Sequence, residues 1–139
     1  MTVETISIDL KMKGNADIRD ITPAVIEGVQ KSSLTSGAIT LFCPSSTSGL
    51  TTIEYESGCL KDLRRLFDEL VDPGRHYEHN ARWGDGNGHS HIRASLLGAS
   101  LTVPFVDKRL TLGTWQQIIY VDFDNKNRSR SIIGQLIGE

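Results

Sequence analysis

The stretch Leu101-Thr102-Val103-Pro104-Phe105-Val106-Asp107-Lys108-Arg109-Leu110-Thr111-Leu112 reads as strand, turn, strand. Leu101 to Val106 and Leu110 to Leu112 carry the apolar and β-branched residues of strands, and Asp107-Lys108-Arg109 between them is a hairpin turn. Strands joined by so short a turn run antiparallel, because a parallel pair needs a crossover of a dozen residues or more. The pattern continues downstream. Trp115 to Phe123 and Ser131 to Ile137 read as strands around a second turn, Asp124-Asn125-Lys126-Asn127. Upstream, Ile6, Ile8, Leu10 and Met12 alternate with Ser7, Asp9 and Lys11, the period of a strand with one buried face. Ala38 to Cys43, ended by Pro44, and Leu50 to Glu56 flank the polar turn Ser45-Ser46-Thr47-Ser48-Gly49 and are expected to form a hairpin.

Helices interrupt the strands. Ile21-Thr22-Pro23 is a helix start, with Thr22 as cap, Pro23 in the first turn and Ile21 placed to staple against Ile26; that helix runs to about Leu34. Leu60, Leu63, Phe67, Leu70 and Val71 recur at helical spacing until Asp72-Pro73-Gly74 stops them. A short helix is expected from near Ser90 to before Gly98, and residues 75–88 show no periodicity and read as a long loop. The expectation is one α+β domain over residues 1–139, mainly antiparallel sheets with two main helices and one short helix.

Composition narrows the partners. A length of 139 residues suits a single core. The net charge of -2 offers no broad basic field for nucleic acid, and no apolar run approaches the roughly 18 residues that cross a bilayer. Met1-Thr2-Val3-Glu4 lacks the segments of a signal peptide, so a cytoplasmic location is expected. Cys43 and Cys59 make no disulfide framework and no CxxC metal motif.

All four histidines fall between positions 76 and 91, in His76-Tyr77-Glu78-His79 and Gly88-His89-Ser90-His91. A convergent set of imidazoles can bind a divalent metal such as zinc or do acid–base work. His79, His91 and Asp85 form the preferred constellation, with His89 as the alternative ligand; solvated loop histidines are the competing reading. Gly84-Asp85-Gly86-Asn87-Gly88 lets the backbone approach an anion at a helix start, and Arg93 with Ser46 and Thr47 would strengthen a phosphate site. Glu54 is a candidate general base, and Thr114, Trp115 and Gln116 are candidates for holding a heterocycle.

Taken together, Pro44-Ser45-Ser46-Thr47, Thr51-Thr52-Ile53-Glu54-Tyr55-Glu56, Tyr77-Glu78-His79, the run Gly86 to Gly98, Ser100-Leu101-Thr102-Val103-Pro104 and Leu112-Gly113-Thr114-Trp115-Gln116-Gln117 resemble the YjbQ family across almost the whole chain. The resemblance implies a compact α+β fold, a homotrimer with sites near subunit boundaries, and a weak, secondary thiamine-phosphate synthase activity. Recurrent polar positions of that family fall on His79, His91, Thr114, Trp115, Gln116 and Glu54. Ser45 stands where bacterial members commonly carry His, Ile53-Glu54-Tyr55 resembles an archaeal-type branch, and His89 is the candidate substitute imidazole. Two functions compete. One is an enzyme acting on a small phosphorylated heterocycle, with zinc or magnesium as the expected metal; the other is a trimeric ligand- or metal-binding protein without turnover.

Overall fold

The computed structural model describes residues 1–139. In chain order the elements are β1 (Thr2–Met12), β2 (Asp17–Asp20), α1 (Thr22–Lys31), β3 (Gly37–Phe42), β4 (Ser48–Ile53), α2 (Ser57–Leu70), α3 (Glu78–Trp83), α4 (Gly88–Leu97), β5 (Ser100–Val106), β6 (Arg109–Leu110), β7 (Gln117–Asp122) and β8 (Arg128–Gly138). A five-stranded sheet has the order β1-β8-β3-β5-β6, and a three-stranded sheet the order β2-β7-β4. Every pairing is antiparallel, so the α+β expectation holds.

β7 explains the layering. Ile118 and Tyr120 point into a core shared with Ile8, Ile39, Leu41 and Ile132 of the large sheet. Ile119, Val121 and Phe123 point the other way, against Phe67 of α2 and Ala94 of α4. A strand buried on both faces loses the polar alternation of a one-sided strand. The small sheet is therefore a middle layer between the large sheet and the helices α2 and α4, and Ile118, Ile119 and Ile132 are fully buried within one subunit. Their burial needs no second subunit, whereas Ile133, next to Ile132 on β8, is exposed. It joins Val3, Phe42 and Ile137 on the open face of the large sheet, where Val3 pairs with Ile137 and Phe42 with Ile133.

Several local expectations are corrected. β3 and β4 do not form a hairpin. β3 joins the large sheet and β4 the small one, so the serine-rich turn between them crosses from layer to layer. Thr22 does not cap α1, because its hydroxyl accepts the Ile118 N–H at 2.8 Å instead. Residues 75–88 contain α3, closed by Gly84 at φ 66, a left-handed exit that suits glycine. α4 begins at Gly88 rather than near Ser90.

Candidate functional site

Three segments meet at one edge of the sandwich: the crossing Pro44–Thr47, the α3–α4 region from His79 to His91, and the turn from Asp122 to Arg130. They enclose a polar cavity of about 370 Å³ whose lining includes Ser46, Asp85, His91, Asp124, Arg128 and Arg130. Its floor is an ion network. Arg130 grips Asp122 with two prongs, Nε to Oδ2 at 2.7 Å and a terminal nitrogen to Oδ1 at 3.0 Å. The same guanidinium donates to the Thr47 hydroxyl at 2.8 Å, which donates onward to Asp124 at 3.0 Å. Asp122 and Asp124 are both buried. Burial alone pulls the Asp124 carboxyl up, but the side chains of Asn87 and Thr47 and the Arg128 guanidinium outweigh it and hold it below its ordinary range. Burial likewise works against the Arg130 charge, and the Asp122 carboxylate more than offsets it, so Arg130 is held above its ordinary value.

Neighbouring loops fix this floor. Asn87 Oδ1 accepts the Asn125 N–H at 3.2 Å and lies 2.6 Å from the Ser90 hydroxyl, which is also 2.6 Å from the Phe123 carbonyl. The Asp124 carbonyl accepts the Asn15 N–H at 2.7 Å. This approach demands Gly14, at φ +78, since a Cβ there would lie 2.3 Å from that same carbonyl oxygen. Arg128 approaches Asp124 through Nε at 3.3 Å, and its side chain is 42% exposed. Its terminal nitrogens make no hydrogen bond within the chain, and the residue lines the cavity.

Two histidines pack together beside the floor, and of the two His91 lines the cavity. The rings of His79 and His91 lie 4.5 Å apart, centre to centre. His91 Nδ1 is 3.1 Å from the Ser46 carbonyl. A carbonyl only accepts, so Nδ1 carries the proton and Nε2 keeps a lone pair. His79 Nδ1 lies 3.2 Å from Asp85 Oδ1 but outside hydrogen-bonding geometry.

The other expected site residues lie elsewhere. His89 is two residues from His91 on α4 and so faces another way, into the interior. Burial, helped by the nearby Arg93 charge, pushes its imidazole below the ordinary value. The ligand set His79, His89, His91 and Asp85 is therefore corrected: His89 is turned inward, Asp85 sits on the Nδ1 side of His79, and no three His, Cys, Asp or Glu side chains of the chain are gathered around one point. Arg93 is buried under α2, with Nε and a terminal nitrogen both on the Val71 carbonyl at 3.1 and 2.9 Å and Asp68 at 3.0 Å. It lines no part of the cavity. Glu54 is exposed beyond the end of β4. Trp115 is 74% exposed, and Gln116 donates to Thr52 at 3.1 Å beside a separate groove between β4 and β5. Thr114, in the same exposed turn, lines neither cavity. Ser46 and Thr47 are at the site, Thr47 already engaged by its charges.

Sequence reasoning missed Asp122, Asp124, Arg128 and Arg130: the aspartates were read as a strand end and a turn, and the arginines fell between that turn and the strand beginning at Ser131. The available signal was the repetition of like charges two residues apart, Asp122/Asp124 and Arg128/Arg130, either side of a short turn.

Comparison with known proteins agrees with this fold. The family model described as UPF0047 protein YjbQ-like matches residues 6–139. The chain belongs to the YjbQ/UPF0047 family. A UPF0047 protein of Archaeoglobus fulgidus is 34% identical over 129 residues, covering 93% of this chain and 98% of that protein. UPF0047 protein YugU of Bacillus subtilis is also 34% identical, over 134 residues, covering 95% and 98%. Archaeal and bacterial relatives thus match equally well, and overall identity does not favour an archaeal-type branch. Among solved structures, a YbjQ-like protein of unknown function from Sulfolobus solfataricus superimposes with a TM-score of 0.89 at 30% identity, covering 99% of this chain and 100% of its own. A hypothetical protein from Aeropyrum pernix gives 0.90 at 31%, covering 98% and 99%. No helix of this YjbQ-like chain is long and apolar enough to cross a membrane.

Proposed function

We propose that this YjbQ-like protein is an enzyme of small phosphorylated molecules, with His79 and His91 as its acid–base pair and Arg128 as its anion contact. The observation that carries the reading is the His79–His91 pair at 4.5 Å, with the His91 Nδ1 proton committed to Ser46. An imidazole oriented in this way presents Nε2 as a base and, once protonated, as an acid. The unengaged terminal nitrogens of Arg128 match a phosphoryl group, whose oxygens take a guanidinium fork. Arg130 stiffens the floor and, already committed to two aspartates and Thr47, adds positive field more than hydrogen bonds. Thiamine-phosphate synthase activity, the finer form that the resemblance implies, stays within this reading; thiamine phosphate is accordingly one of its test ligands.

Calorimetric titration with phosphate, diphosphate and thiamine phosphate tests the proposal. Arg128→Ala removes a charge-assisted contact of about 1.5–3 kcal/mol, a weakening of about tenfold or more, and His91→Ala weakens binding in the same direction. Failure of the intact protein to bind any of the three at millimolar concentration removes the phosphoryl reading.

A second reading has its own support. His91, anchored through Nδ1, is oriented as a metal ligand is, with Nε2 free for zinc or magnesium, and His79 lies beside it. Two ligands fall short of the three that a catalytic zinc site takes from protein, so a third would have to come from a second subunit. Homotrimer formation on the open face bearing Val3, Phe42, Ile133 and Ile137 belongs to this proposal, as does a cytoplasmic location. Zinc binding at one equivalent per subunit, abolished by His79→Ala, would favour the metal reading over pure acid–base work.

A further inference from the structure

The charged cavity adjoins another hollow, with which it shares lining residues. Ser45, Ser46 and His91 are the shared wall, and this second hollow, of about 390 Å³, runs along α4 toward Gly98. The two differ in chemistry. The first holds Arg128 and Arg130; the second adds Ser48 and Ser95 to the shared serines, and its remaining walls are Ala94, Gly98 and Ala99. Four serines therefore line a space that contains no aromatic ring apart from His91 and no fixed charge.

Their hydroxyls have capacity to spare. Ser46 Oγ makes no hydrogen bond within the chain and is exposed. Ser48 Oγ accepts the Tyr120 hydroxyl at 2.7 Å, which leaves its own proton to donate. Ser95 Oγ donates to the His91 carbonyl at 2.9 Å, which leaves its lone pairs to accept. A hydroxyl group both donates and accepts, so such a wall matches another set of hydroxyls. A planar heterocycle needs a different wall, with aromatic faces to stack on or an apolar slot to fill. The aromatic candidate, Trp115, lines neither hollow.

We infer that the substrate is an aliphatic, hydroxyl-bearing phosphate, a short phosphorylated polyol or sugar, with its phosphoryl group at Arg128 and its hydroxyls along the serines of the second hollow. This rests on the phosphoryl reading above and narrows its substrate class. His91, at the junction, then faces the carbons next to the phosphoryl group, where a base can act on a hydroxyl proton.

The test compares three probes on the full chain by calorimetry: inorganic phosphate, ribose 5-phosphate and phenyl phosphate. Ribose 5-phosphate is expected to bind at least about tenfold tighter than phosphate, and phenyl phosphate no tighter than phosphate. Ser95→Val, which puts methyl groups into the second hollow, is expected to lower the ribose 5-phosphate affinity at least about tenfold more than the phosphate affinity. Ser46→Ala, at an exposed hydroxyl without a partner, tests the same ratio if the valine variant does not fold. Equal or tighter binding of phenyl phosphate than of ribose 5-phosphate overturns the inference and leaves the phosphoryl reading intact. An unchanged ratio in both serine variants also overturns it. If none of the three probes binds, the phosphoryl reading itself falls and takes this one with it.

Discussion

Replacing Arg93 by alanine should unfold the protein more easily and leave phosphate binding alone. The guanidinium reaches the Val71 carbonyl, the C-terminal cap of α2, through two nitrogens at 3.1 and 2.9 Å. Each hydrogen bond from a charged donor contributes about 1.5 kcal/mol at the low end, so the two together hold α2 by about 3 kcal/mol. The Asp68 contact at 3.0 Å adds under about 1 kcal/mol, because the Asp68 side chain is 68% exposed and water screens the pair. The expected loss is about 3–4 kcal/mol. Urea unfolding measures it. With a slope in the ordinary range of about 1–3 kcal/mol/M, the midpoint should fall by about 1 M or more. Arg93→Lys keeps the charge without the fork and should recover only part of the loss. A midpoint shift below about 0.5 M combined with a tenfold loss of phosphate affinity would refute this assignment and return Arg93 to the anion site.

Arg130→Met should cost about 3–5 kcal/mol, since it leaves Asp122, 0% exposed, as an uncompensated buried charge; chemical denaturation showing less than about 1 kcal/mol would contradict the network described here. Stability should also fall as pH drops below about 6.5, the ordinary histidine value, because the unfolded chain takes up a proton that burial makes the folded His89 refuse. The carboxylates held low, such as Asp124, begin to oppose folding only at more acidic pH, so the slope between about pH 6.5 and 5 belongs to His89. Urea midpoints across this range should be flatter in His89→Gln, and an unaltered slope would assign the effect elsewhere. Light scattering at low micromolar concentration should give three times the subunit mass, and Ile133→Glu on the open face should yield monomers; a monodisperse wild-type monomer would remove the shared-subunit form of the metal site.

The sequence by itself determined the antiparallel α+β character, because alternation in Ile6 to Met12 and the short turn at Asp107-Lys108-Arg109 are local signals with local causes. It also marked His79 and His91, since four histidines within sixteen positions stand out whatever the fold. Tertiary structure decided the rest. The approach of Pro44–Thr47 to the β7–β8 turn follows from β3 and β4 entering different sheets, a choice of partner that the intervening polar turn does not encode. The roles of the arginines were likewise invisible. Arg93 and Arg128 are the same residue type, each near a plausible anion motif, and only packing sends one beneath α2 and leaves the other at the cavity. His89 and His91 were separable only once α4 was seen to begin at Gly88, because a helix turns residues two apart by about 200° while an extended chain would have aligned them.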